Sequence, residues 1–139
     1  MSKNQIDWKS GYIMGIEDMD NQHLFFSRLI NRLSDELRDL YSIEHGTSII
    51  NELDAYARFH FISEENIMRR TGYPGLEEHK ALHLDLIDEL GAKSGFLYLE
   101  PNIKRVEEII SFLIKWFLKH TINEDRIFAD YIDRKGIKV

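Results

Sequence analysis

Apolar residues recur at helical spacing in four stretches of the chain. Phe26, Ile30, Leu33 and Leu37 mark the face of a first helix. It opens near Asp18 or Asp20, either a good N-cap, and runs to about Leu40. Ile49, Leu53, Tyr56, Ala57, Ile67 and Met68 mark a second, from Gly46-Thr47 to about Arg70. The run Thr71-Gly72-Tyr73-Pro74-Gly75 then forces a turn. A third helix starts near Leu76 and carries Leu82, Leu86, Ile87 and Leu90, with Gly91 and Gly95 weakening its end. In the fourth, Pro101 suits the first turn, and Val106, Ile109, Ile110, Leu113, Trp116 and Phe117 face inward. A shorter helix is expected from about Asn123 to Asp133. Ahead of them all, Ile6, Trp8, Tyr12, Ile13 and Ile16 show no period and read as an ordered arm. No segment alternates with the period of two that strands require. The pattern predicts an all-α fold: one antiparallel up-down-up-down four-helix bundle with an N-terminal arm and a short C-terminal helix. At 139 residues the chain fits a single domain spanning 1–139.

Five of the six histidines break the apolar pattern from inside. His23 precedes Phe26 by three residues, His60 continues the series of Leu53, Tyr56 and Ala57, His79 and His83 lead into Leu86, and His120 follows Trp116 and Phe117. His45, in the expected loop before the second helix, is the exception. A single inward histidine is usually a hydrogen-bonded core residue. Five in one small bundle each need their ring nitrogens satisfied, at a cost of about 1–3 kcal/mol per unpaired group. A shared metal centre satisfies them together.

Phase and height support that reading. His60 and Glu64 are four residues apart, as are His79 and His83, so each pair faces one way, separated by about one turn. His120 and Asp125 are five apart, about 140° out of phase in a regular helix, and share a site only if the helix breaks or turns around Thr121-Ile122-Asn123. In an up-down bundle the start of the first helix, the end of the second, the start of the third and the end of the fourth all lie at one end. His23, His60, Glu64, His79, His83, His120 and Asp125 therefore fall in one layer.

Composition narrows the chemistry. With no cysteine, thiolate zinc sites, cysteine-held clusters and disulfides are excluded. The net charge of -6, with Lys and Arg scattered, argues against nucleic acid. No stretch reaches the ~20 apolar residues of a membrane span, and the N-terminal residues lack the apolar run of a signal peptide, so a cytoplasmic protein is expected. Five imidazoles and two carboxylates are too many for one ion. Zinc takes four ligands, and calcium and magnesium prefer oxygen. Two first-row transition ions bridged by the carboxylates fit, and imidazole with hard bridging oxygen suits iron. The ferritin-like plan needs Glu three residues before His on two helices, a spacing absent here. If three histidines bind one iron and two the other, with both carboxylates and one hydroxide bridging, one coordination position stays open to a small ligand such as dioxygen.

At this point the sequence resembles the hemerythrin family, specifically its single-domain bacterial members. The resemblance rests on the stretch from Gly15 to His23, on His60-Phe61-Ile62-Ser63-Glu64, Thr71-Gly72-Tyr73, His79-Lys80-Ala81-Leu82-His83, and Trp116 to His120 with Asp125. It implies a pair of iron ions in an oxo- or hydroxo-bridged centre. His79, His83 and His120 would bind the six-coordinate iron, His23 and His60 the iron with the open site, and Glu64 and Asp125 would bridge. It also implies reversible dioxygen binding. Phe26, Phe61, Met68, Leu82, Leu86, Trp116, Phe117 and Ile122 are candidates for an apolar lining.

An oxygen carrier or store is thus the leading expectation, a binder rather than an enzyme. The alternatives are an oxygen or redox sensor, for which no output module is evident, and a di-iron enzyme handling peroxide or nitric oxide. A protein partner is not indicated.

Overall fold

The computed structural model describes residues 5–39 and 42–139. Four long helices, α1 (Glu17–Asp39), α2 (Ile43–Arg70), α3 (Leu76–Leu99) and α4 (Ile103–His120), form the antiparallel bundle, and no strand occurs among the described residues. A π turn, Thr121–Asp125, joins α4 directly to α5 (Arg126–Lys135). α1 and α3 each pack against α2 and α4. No described helix is long and apolar enough to cross a membrane.

The ends of the helices depart from the expected ones for identifiable reasons. α1 begins at Glu17, and Asp20 does not cap it. Its carboxylate instead accepts hydrogen bonds from the backbone N–H groups of Met14 and Gly15, at 2.7 and 3.0 Å, tying down the arm. The expected end at Leu40 lies outside the described residues. α2 opens at Ile43 rather than Gly46, because the Ser42 side chain accepts from His45 N–H and makes the cap. Gly46 therefore lies inside the helix, where a Cβ would sit 3.0 Å from Val106 Cγ2. It is a point of close approach between α2 and α4. His45 is correspondingly in the first turn of α2 and not in a loop. α3 runs through Gly91 and Gly95 to Leu99, since both glycines are exposed while Leu97 is buried in the core. Asn102, not Pro101, opens α4, by accepting from Lys104 N–H.

Between α2 and α3 the chain reverses through Gly72, whose φ of 68° favours glycine. The N-terminal arm is ordered as expected. Ile6 is buried and exchanges two hydrogen bonds with the Asn31 side chain, and Arg126 donates to the carbonyls of Gly11 and Ile13.

The buried apolar residues fall into two clusters. The larger holds Phe26, Ile30, Leu33, Leu53, Ala57, Phe61, Leu86, Leu90, Ile110, Leu113 and Phe117 among others. The smaller joins Met14, Ile16 and Met19 to Ile67, Met68, Phe128, Ala129 and Ile132. On α1, His23 lies between Met19 of the smaller cluster and Phe26 of the larger, and on α2, Glu64 lies between Phe61 of the larger and Ile67 of the smaller.

Candidate metal centre

Helical phase delivers six of the seven side chains to this layer directly. His23 comes from α1, His60 and Glu64 from α2, His79 and His83 from α3, and His120 from the last turn of α4. Asp125 arrives by a different device. The chain neither breaks nor turns between His120 and Asp125, as the sequence suggested; it widens into a π turn, whose i→i+5 bonding makes five residues close to a full revolution. That brings Asp125 Oδ1 to 3.1 Å from His120 Nε2. All seven residues are buried, none more than 6 % exposed.

Each carboxylate divides its two oxygens between two groups of imidazoles. Glu64 Oε1 lies 2.8 Å from His79 Nε2 and 3.1 Å from His83 Nε2, while its Oε2 lies 3.2 Å from His60 Nε2 and 3.5 Å from His23 Nε2. Asp125 Oδ1 faces His79 at 3.0 Å and His120 at 3.1 Å, and its Oδ2 faces His23 at 3.1 Å. The donors thus sort into a three-histidine side and a two-histidine side, spanned twice.

The spacing fits metal ligation better than hydrogen bonding. His120 Nε2 is 3.0 Å from His79 Nε2 and 3.2 Å from His83 Nε2. Adjacent donors about 2.1 Å from a six-coordinate ion are about 3.0 Å apart, and opposite ones about 4.2 Å. The His120 to Glu64 Oε1 separation, 3.9 Å, is of the second kind. Both ring nitrogens of His23, Glu64 Oε2 and both oxygens of Asp125 are buried without a hydrogen bond. So many unpaired polar atoms in one layer would be costly unless a cation collects them.

Electrostatics follow the same division. Burial works to lower His23, His79 and His120, but the carboxylates of Asp125 and Glu64 outweigh it and lift each to about 9. His60 is lowered, burial prevailing over Glu64. Burial also opposes ionisation of Glu64 and Asp125, yet the surrounding imidazoles hold both below the ordinary carboxylate range.

Around the seven side chains, the residues expected as an apolar lining differ in burial. Phe26, Phe61, Leu86 and Phe117 are buried in the larger cluster. Met68 belongs to the smaller one, Leu82 and Trp116 are half-buried, and Ile122 is exposed. Trp116 stacks on His120, with centroids 4.4 Å apart, and Phe61 on His83 at 3.9 Å. Two outer partners were not legible in the apolar pattern: Gln22, 2.8 Å from His60 Nδ1, and Glu65, 2.8 Å from His83 Nδ1. Each sits next in sequence to one of the seven, Gln22 to His23 and Glu65 to Glu64, and that adjacency was the available signal.

A four-helix bundle with a buried histidine–carboxylate layer able to hold metal ions is the class that fold and site define. The family model of the hemerythrin HHE cation binding domain matches residues 14–132. The chain belongs to the hemerythrin family, whose cofactor is a di-iron centre. It is 28 % identical over 126 residues to a bacteriohemerythrin of Clostridium acetobutylicum, covering 88 % of this chain and 98 % of that one. A bacteriohemerythrin of Pseudomonas aeruginosa is 29 % identical over 128 residues, covering 91 % of this chain and 78 % of its own. A myohemerythrin of Theromyzon tessulatum is 27 % identical over 119 residues, covering 85 % and 86 %.

Proposed function

We propose that this chain, as one domain, binds dioxygen reversibly at two irons and serves as an oxygen carrier or store. His79, His83 and His120 hold one ion, His23 and His60 the other, and Glu64 and Asp125 bridge them. The observation that carries this reading is the division of the two carboxylates between unequal groups of imidazoles. The three-histidine side offers five donors within ligand spacing, and the two-histidine side four. The shortfall leaves room for a small ligand on the two-histidine side.

When bound, an iron pair supplies the electrons that hold dioxygen and recovers them on release. The protein's own contribution is to fix the ligands and keep the site dry. Phe117 packs edge-on against His23 at 5.6 Å between centroids, Phe26 packs on Phe117 at 4.9 Å, and Trp8 of the arm covers both His23 and Phe117. This wall excludes water and slows proton entry, which favours release of the ligand unchanged over its reduction. The histidine-rich donor set points the same way, to a binder rather than an enzyme.

Iron analysis tests the first half of the reading, with two irons per chain expected. An anaerobic titration of the reduced protein with dioxygen tests the second. A charge-transfer band should grow under air and vanish under argon. One ion per chain overturns the di-iron assignment, and prompt irreversible oxidation overturns the carrier role.

A further inference from the structure

The two sides of the cluster are braced from behind by chemically different groups. On the two-histidine side, His60 Nδ1 lies 2.8 Å from Gln22 Oε1. Gln22 Nε2 in turn donates to Ser63 Oγ at 2.8 Å, and the Tyr56 hydroxyl donates to the Gln22 backbone carbonyl at 3.0 Å, so the residue is held at both its side chain and its main chain. On the three-histidine side, His83 Nδ1 lies 2.8 Å from Glu65 Oε2. Both partners accept, so each ring carries its proton on Nδ1 and turns the Nε2 lone pair toward the cluster. The difference between them is charge. One ring donates to a neutral amide, the other to a carboxylate.

A charge-assisted hydrogen bond draws the Nδ1 proton toward the acceptor and makes the imidazole a stronger electron donor. Low dielectric strengthens the effect. Phe61 lies flat on the His83 ring, 3.9 Å away and 8° from parallel, and shields it. Glu65 itself is 17 % exposed, at the edge of a groove of about 240 Å³ between α2 and α3 that Arg58, Phe61, Ile62, Lys80 and Leu84 also line.

We infer that Glu65 is a positioning residue that makes the three-histidine side the more electron-rich half of the cluster and lowers its reduction potential, with Gln22 as its neutral counterpart on the other side. The inference rests on the proposal that the cluster holds two irons. It concerns an asymmetry beyond the 3:2 split of histidines, carried by two residues that ligate nothing.

The test is redox potentiometry of the iron-loaded protein, with iron counted in the same samples. Glu65→Gln keeps an acceptor and removes the charge. It should raise the midpoint potential by at least the equivalent of a tenfold change in equilibrium constant, about 59 mV for one electron. Gln22→Glu should lower it. Asp88→Asn, an equal change of charge at an exposed position on α3, should leave it in place. An unmoved potential in Glu65→Gln with two irons bound overturns the role of Glu65. So does a shift in Asp88→Asn as large as that in Glu65→Gln. If Glu65→Gln fails to load, Gln22→Glu decides: a lowered potential supports the asymmetry, and an unchanged one overturns it. Fewer than two irons in the unaltered protein overturns the underlying di-iron proposal instead.

Discussion

His120 and Asp125 stand at the two ends of a single π turn, and that turn is what places Asp125 Oδ1 3.1 Å from His120 Nε2. An α-helix would carry the carboxylate about 140° away. The extra residue in the turn is therefore part of the site. Asp125→Ala removes the carboxylate that the turn delivers without altering the register of the chain. Iron per chain should fall well below two while far-ultraviolet circular dichroism keeps its helical intensity. Full iron retention would show that Asp125 is dispensable.

Removing one bridge should be distinguishable from removing a histidine outside the layer. Glu64 contacts imidazoles on both sides, so Glu64→Ala should abolish stable retention of the pair. His45 is half-buried in the first turn of α2, 3.5 Å from Glu36. Its loss should leave iron content unchanged and cost no more than about 1 kcal/mol in stability. Metal analysis after gel filtration, paired with thermal melts, separates the two. Equal losses of iron would mean that the ligand set is wrong.

Without metal, the layer's charges make folding stability depend on pH in a defined sense. His23, His79 and His120 rise from 6.5 to about 9 on folding, so the stability they add is complete below about 6.5 and is lost as pH climbs through 9. Glu64 and Asp125 are lowered, so theirs is complete above their ordinary values of 4.5 and 3.8 and is lost on acidification. His60, also lowered, opposes its neighbours below 6.5. The iron-free chain should thus melt at the highest temperature between about pH 5 and 6.5, and several degrees lower at pH 9. Metal binding needs neutral imidazoles and should release protons, detectable with an indicator in weak buffer. A melting temperature constant from pH 6 to 9 would contradict the ionisation scheme.

Trp8 covers the His23 side of the cluster from the N-terminal arm, 6.4 Å from the His23 ring and stacked on Phe117. Trp8→Ala should admit water there without removing a ligand. The expected outcome is an unchanged iron count and severalfold faster autoxidation, followed as decay of the oxygenated absorption band in air. An unaltered rate would locate the barrier to water elsewhere.

Most of the bundle was readable because periodicity survives translation into three dimensions. Leu53, Leu86, Leu90 and Leu113 are all buried, and the layer of histidines with Glu64 follows from helix order and direction. Local signals were less reliable where packing overrode them. Gly91 and Gly95 carry a propensity cost of about 1 kcal/mol each, yet α3 continues past them because burying Leu97 offsets it. Gly46 reads as a helix start, but it is a contact point with Val106, which depends on a helix some sixty residues on. The phase conflict between His120 and Asp125 was visible, whereas its resolution was not, since π and broken helices answer it equally well. Gln22 and Glu65 escaped because neither is apolar nor a ligand. Their role depends on which ring nitrogen faces outward, and adjacency to His23 and Glu64 marks their position without revealing that.

Among the described residues the buried apolar side chains form two separate clusters, with the polar layer between them on α1 and α2, so a bound metal pair would act as a rivet between two blocks. Pulling the rivet leaves the larger block with its own interior, but it leaves the smaller one, made of the arm's end, α5 and the tips of α1 and α2, joined by a seam of buried acids and imidazoles, several of whose atoms have no hydrogen bond. Chelation should loosen that end of the molecule first, so amides in Arg126–Lys135 should exchange with deuterium well before those around Leu53.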